Sequence, residues 1–334
     1  MTQNNLAAKQ QIQNRNAIAD LQNLLADDLA AVNAEIITRM QSPVALIPQL
    51  AAHLIAAGGK RLRPLLTLAS AQLCNYRGNA HIPLAASVEF IHTATLLHDD
   101  VVDDSKLRRG QDTANAVWGN KSSVLVGDFL FSRAFQLMVD TKSIDVLRIL
   151  ADASSTIAEG EVHQLLTANN LATTKSDYNR VIYAKTASLF AAACEIGAVI
   201  SHAGETKQAA LREYGMNLGL AFQISDDAFD YYGLPGKDAG DDFRDGKVTL
   251  PLILAYERGH DSERAFWKKC IEQQNIGDGD FERAIDLLHR HNALGDALII
   301  AKQHAATAID HLSVFADGAV KQLLADTADY AANR

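Results

Sequence analysis

The chain has 334 residues, 48% of them hydrophobic, with 31 basic against 40 acidic side chains and a net charge of −9. That much apolar mass supports one large core or two ordinary ones and excludes wholesale disorder, while the acidic balance argues against nucleic acid, whose binding rests on a basic surface. Three widely separated cysteines, Cys74, Cys194 and Cys270, exclude a disulfide scaffold or structural zinc site and suit a reducing cytosol.

Residues 1–16, MTQNNLAAKQQIQNRN, are polar and amide-rich, and read as an extension rather than a signal or transit peptide. Leu21, Leu24, Leu25, Leu29 and Val32 then recur at three- and four-residue steps, the period of a helix with one buried face. The six prolines are Pro43, Pro48, Pro64, Pro83, Pro235 and Pro251, so residues 84–234 and 252–334 contain none. Proline costs about 3 kcal/mol in a helix interior, and such long proline-free, alanine-rich stretches predict helices. Alternating strands bounded by Asn-Gly turns are absent, as are a Ser/Gly/Pro linker and a fixed repeat. No run of about 18 uncharged apolar residues suggests a membrane span. The expectation is one all-α domain over 1–334, bundled, in a soluble cytoplasmic protein.

Residues 58–64 read GGKRLRP, a glycine-flanked basic loop. The next predicted helix carries Val88, Ile91 and Thr95 and ends in LLHDDVVDD, which places Asp99, Asp100, Asp103 and Asp104 within six positions. On a helix, Asp99 and Asp103 share a face and repel. Taken alone, this reads as a solvated helix end. Arg108 and Arg109 follow. Phe129, Phe131 and Phe135 in GDFLFSRAF step at helical spacing and read as core, with a tunnel lining as the alternative. Lys185-Thr186 lies inside the apolar stretch YAKTASLFAAA.

The second cluster changes the balance. FQISDDAFDY repeats the spacing D-D-x-x-D with Asp226, Asp227 and Asp230, again behind an apolar helical stretch. The C-terminal end of a helix dipole is negative, so both clusters oppose local stability and call for bound cations. Oxygen-only ligands suit Mg²⁺ or Ca²⁺ rather than zinc, and Mg²⁺ is usually completed by water and substrate phosphates. Two facing aspartate walls would hold a diphosphate through Mg²⁺. Lys60, Arg63, Arg108, Arg109, Lys185, Lys237 and Lys247 supply the alternating positive charge that a metal-bridged polyanion needs. Asp241, Asp242 and Asp245 in GDDFRDGK read as solvated, with ordering of Mg²⁺ through water as the alternative. His98, His289 and His291 read as structural or surface residues, and residues 256–334 as helical packing.

Together GGKRLRP, FIHTATLLHDDVVDDSKLRRG, KTASLF, FQISDDAFDY and GDDFRDGKVTLP resemble the trans-prenyltransferases, or polyprenyl diphosphate synthases, over roughly residues 50–255. A lone DDxxD is a weak signal; this set in this order is specific, and it is most similar to the long-chain bacterial octaprenyl diphosphate synthases of ubiquinone biosynthesis. The resemblance implies an all-α isoprenoid synthase bundle around a central cavity, a homodimer, and several Mg²⁺ ions per site. It implies Mg²⁺ binding by Asp99, Asp100 and Asp103 from one wall and by Asp226, Asp227 and Asp230 from the other. Lys60, Arg63, His92 and Arg109 would then hold isopentenyl diphosphate. Arg108, Lys185, Thr186, Gln223, Lys237 and Lys247 would hold the allylic diphosphate, for which farnesyl diphosphate is the expected primer. Only YYGLP separates Asp230 from Gly236, fewer residues than most of the family has before the glycine-lysine pair that includes Lys237. Family members that stop early have bulky aromatics just before the first aspartates. Ala94 and Thr95 stand there, implying a long product for delivery to a membrane. The alternatives are a shorter-chain (farnesyl or geranylgeranyl) or nonaprenyl synthase, a terpene cyclase of the same fold, and a non-catalytic partner subunit.

Overall fold

The computed structural model describes residues 17–56, 59–108, 110–232 and 239–333. The polar extension 1–16, Arg109 and Lys237 lie outside the described residues. Residues 17–24 are helical, and among the described residues sixteen α-helices follow. They begin with α1 (Ala26–Arg39), α2 (Leu46–Ala56), α3 (Leu62–Leu73), α4 (His81–Val102), α5 (Ala114–Trp118), α6 (Asn120–Asp140), α7 (Ile144–Thr167) and α8 (Lys175–Ile182). A five-residue π-turn, Tyr183–Ala187, joins α8 to α9 (Ser188–Ile200), and α10 (Glu205–Asp230) is the longest helix. Then come α11 (Asp241–Arg244), α12 (Leu250–Arg258), α13 (Asp261–Trp267), α14 (Asp280–Arg290), α15 (Ala293–His311) and α16 (Ala319–Ala332). The all-α expectation holds with one small exception. Leu107–Arg108 (β1) pairs antiparallel with Gln111–Asp112 (β2), a two-residue ladder too short to leave an alternating pattern.

The prolines explain where several helices begin. Pro48, Pro64, Pro83 and Pro251 each occupy the second or third position of α2, α3, α4 and α12. The N–H that proline lacks would have no intrahelical partner there. Leu21, Leu25 and Val32 are buried as their spacing predicts, whereas Leu24 is 41% exposed and lies off the buried stripe. Of the three phenylalanines of α6, Phe129 and Phe131 pack against the core as expected and Phe135 departs from expectation. Phe129 and Phe131 are half-buried and Phe135 is exposed, because α6 is an outer helix whose packed stripe is Val126, Leu130, Ala134 and Leu137. Two helical spans, Asn120–Asp140 and Lys175–Ile200, are long and apolar enough to cross a membrane by length and composition alone; the second is mostly buried inside the protein, as a core helix is.

Two apolar cores share helices. Ala210, Leu211, Tyr214 and Leu218 of α10 enter one core, and Ala221, Ile224 and Ala228 of the same helix enter the other. The second core contains Trp267, Leu287, Leu288 and Leu294, which gives residues 256–334 their packing role. Its edge is pinned by Glu263, a buried carboxylate. His291 Nε2 lies 2.8 Å from Glu263 Oε2, and Arg290 Nη1 donates to Oε1 at 2.6 Å. Burial alone would raise the Glu263 pKa, but these hydrogen bonds and the His260 N–H reverse that and hold it at about 2. Glu263→Gln is expected to cost about 1.5–3 kcal/mol at neutral pH, the range for hydrogen bonds to a charged group. The folded pKa is depressed. The stabilisation is therefore complete above the ordinary glutamate range and is lost as pH falls through about 2. Urea unfolding of both proteins across that window checks the sign.

Candidate active site

The first acid cluster ends α4. Asp99 and Asp100 lie in its last turn and are buried, Asp103 is the C-cap, and Asp104 follows in the left-handed region at φ 47°. Asn115 of α5 secures this helix end, donating from Nδ2 to the Asp100 carbonyl and to the Ser105 carbonyl, both at 3.0 Å. Such carbonyls have no intrahelical partner. Arg108 Nε and Nη2 both donate to Asp100 Oδ1, at 2.9 and 2.7 Å. Asp100 and Arg108 are thus a local pair in this state. Asp99 Oδ2 lies 3.5 Å from Lys185 Nζ. Burial raises the Asp99 pKa, and the Lys185 charge opposes the rise.

The second cluster ends α10. Asp226 is half-buried, while Asp227 and Asp230 are buried. Tyr178 donates its hydroxyl to Asp227 Oδ2 at 2.6 Å, and Gln223 Nε2 donates to Oδ1 at 2.7 Å. Burial, with Asp242 nearby, pushes the Asp227 carboxyl up to about 8. Asp230 Oδ2 accepts the Asp242 N–H at 3.1 Å. This corrects one expectation. Asp241 and Asp245 are solvent-facing, but Asp242 is turned toward the second wall by α11, and Lys247 Nζ lies 3.6 Å from its Oδ1. Burial depresses the Lys247 pKa, but Asp242 and Asp245, with Asp103 of the first wall adding, raise it overall.

The π-turn joins the walls. Its Lys185 reaches Asp99, and the adjacent Thr186 donates its hydroxyl to Gln223 Oε1 at 2.8 Å, which continues the chain to Asp227. Gly219 of α10 makes this possible: a Cβ there would lie 2.6 Å from Ala187 Cα. The two aspartate clusters, 127 residues apart from Asp99 to Asp226, are therefore brought to one site.

Arg63 Nη1 donates to His92 Nε2 at 3.0 Å, and its guanidinium lies 4.6 Å from the Phe190 ring centroid. Burial lowers the Arg63 pKa to about 10, with Glu89 opposing, so it stays charged at neutral pH. Lys60 bonds through Nζ to the Tyr330 hydroxyl, with Nζ 4.8 Å from that ring centroid. Ala94 is fully buried in the core, and half-buried Thr95 donates to the His92 carbonyl at 2.8 Å. Asn115, Glu161, Tyr178 and Tyr330 were not singled out by sequence. Of these only Tyr178 had a local signal nearby, the Thr174–Asp177 capping box that starts its helix.

Among the described residues, no three His, Cys, Asp or Glu side chains converge closely enough to hold a metal ion. The donor set nevertheless fits a hard cation: the clusters offer carboxylate oxygens only, and Mg²⁺ takes one or two carboxylates and completes its shell with water and phosphate. An open cavity of about 330 Å³ lined by Leu171, Thr173, Leu252 and Tyr256, among others, contains none of the predicted site residues.

Residues 44–288 match the family described as polyprenyl synthetase. The chain is 42% identical to the octaprenyl diphosphate synthase of Haemophilus influenzae over 325 residues, covering 95% of this chain and 97% of that protein. A crystal structure of a decaprenyl diphosphate synthase from Rhodobacter capsulatus superposes with a TM-score of 0.92 at 54% identity, covering 94% of this chain and 98% of that one. A polyprenyl synthase from Caulobacter crescentus, complexed with calcium and isoprenyl diphosphate, gives 0.92 at 52% identity over 95% and 98% of the two chains.

Proposed function

The chain belongs to the polyprenyl synthetase family and is a long-chain trans-polyprenyl diphosphate synthase, a prenyltransferase, and from this we propose that its product is octaprenyl diphosphate, built from isopentenyl diphosphate on an allylic primer such as farnesyl diphosphate. The observation that carries the reading is the pair of D-D-x-x-D helix ends joined through Lys185-Thr186. Decaprenyl diphosphate is the second reading, favoured by the 54% identity to the Rhodobacter capsulatus enzyme.

In this reading Asp99, Asp100, Asp103, Asp226, Asp227 and Asp230 hold Mg²⁺. When bound, it neutralises the diphosphate that departs from the allylic carbon. The chain's own residues do the rest by placement and charge. The allylic diphosphate is assigned to Lys185, Lys247, Arg108 and Lys237, with Thr186 and Gln223 fixing its orientation. Breaking the allylic carbon–oxygen bond leaves an allylic cation, which the double bond of isopentenyl diphosphate attacks. Loss of a proton, to the departed diphosphate, restores a double bond in a product five carbons longer. Isopentenyl diphosphate is assigned to Lys60, Arg63, His92 and Arg109. The Arg63–His92 contact supports this subsite, because it brings the two side chains together. No nucleophilic serine or cysteine is needed; Cys194 is buried and its thiol pushed up to about 12, which keeps it protonated.

We further infer a cytoplasmic homodimer of single-domain subunits. Helices that feed both cores favour one domain. The exposed Leu125, Phe135 and Val139 of α6 offer a second copy an apolar face. Incubation with labelled isopentenyl diphosphate, farnesyl diphosphate and Mg²⁺, followed by product sizing, tests the function. Incorporation into an eight-unit chain is expected, and a ten-unit chain selects the second reading. Consumption of farnesyl diphosphate alone would indicate a cyclase, and no incorporation at all a non-catalytic partner subunit.

A further inference from the structure

We propose that Glu161 is a positioning residue that holds Lys185 off Asp99 and aims its ammonium at the departing diphosphate; this rests on the synthase reading above. Three observations converge on the pair. First, Lys185 sits in a π-turn rather than a regular α-helical turn, and such one-turn irregularities are frequent at functional sites. Second, α7 is pressed onto that turn at Gly160, where a Cβ would lie 2.5 Å from Ala184 Cβ and 3.2 Å from the Lys185 backbone nitrogen. Only glycine permits that approach, and it brings the next residue, Glu161, against the lysine.

Third, the contacts are graded. Lys185 Nζ is 3.0 Å from Glu161 Oε2 and 3.5 Å from Asp99 Oδ2. Lys185 is thus shared between two carboxylates and held more closely by the one outside the D-D-x-x-D clusters. The other Glu161 oxygen, Oε1, is enclosed without a hydrogen-bond partner. That oxygen is shielded from bulk solvent, although the side chain as a whole stays 26% exposed. A lysine side chain has many rotamers. With Glu161 removed, the nearest remaining opposite charge is Asp99. Lys185 would then settle on the carboxylate assigned to metal and substrate, and both groups would be lost to the reaction.

The test is a double-mutant cycle of Glu161→Gln, Lys185→Ala and both together. Each is assayed with isopentenyl and farnesyl diphosphates and Mg²⁺, alongside melting temperature. Glu161→Gln keeps the shape and removes the charge. It is expected to lower kcat up to about a hundredfold, the scale of a misplaced group, with the KM for isopentenyl diphosphate unchanged. In the Lys185→Ala background the same substitution should add nothing. Unchanged kcat in Glu161→Gln, or an equal further loss in the Lys185→Ala background, overturns the proposal. If Glu161→Gln melts early, Glu161→Asp carries the test: a folded protein with reduced kcat supports positioning, and loss of fold in both assigns Glu161 to scaffolding and overturns it. Wild-type protein inactive in this assay would instead refute the synthase reading.

Discussion

Asp99→Ala and Asp226→Ala are each expected to lower turnover at least about a hundredfold, the scale of removing one preorganised group that meets developing charge, while helix content stays unchanged. Asp99 is buried at the last turn of α4 and shares Lys185 with Glu161. Alanine there leaves the lysine with Glu161 and takes one carboxylate from the first wall. Asp226 lies on α10 beside Asp227, whose oxygens are both engaged by Tyr178 and Gln223. Neither substitution cuts a packing contact in the core, and each relieves negative charge at a helix C-terminus, where it is unfavourable. Stability should therefore hold or rise slightly. Steady-state turnover with far-ultraviolet circular dichroism checks both halves, and wild-type rates in either variant would remove the aspartate walls from the mechanism.

Ala94→Tyr is expected to shorten the product markedly. Ala94 lies five residues before Asp99 on the same helix, about 6–8 Å along the axis at 1.5 Å per residue. A chain growing from a diphosphate held at the aspartates passes this level early. Ala94 is completely enclosed, so the phenol ring cannot turn out to solvent and must take space from the interior. Overpacking of this kind typically costs about 1–3 kcal/mol, and a lower melting temperature should accompany the shorter chain. Product sizing against wild type is the measurement; an unchanged length would place the floor of the hydrocarbon site elsewhere.

The helical architecture and the two acid clusters were legible because both are local signals. Proline at four first turns, apolar spacing, and D-D-x-x-D behind an apolar helix are each patterns a few residues long. The supporting contacts were not. Glu161 meets Lys185 across 24 residues, Tyr178 meets Asp227 across 49, and Lys60 meets Tyr330 across 270. No local pattern encodes such pairs. Asp242 was misjudged as solvated because its run of acids looks exposed. Gly240, in the left-handed region at φ 83°, starts α11 and turns that one carboxylate inward while Asp241 and Asp245 stay outside. Phe135 of α6 shows the converse error, exposed where core was expected: spacing identifies a helix, but which stripe faces inward depends on the neighbours.

Lengthening one helical turn by a residue re-clocks everything beyond it by about 100°. The irregular turn at Tyr183–Ala187 therefore sets α9 out of phase with α8. That offset lets neighbouring Lys185 and Thr186 serve opposite sides of the cleft while Phe190 still lies beneath Arg63. Deleting one residue from this span would not shorten a connection. It would spin a fully packed helix about its own axis, so natural variation in chain length should be tolerated far better in surface loops than here.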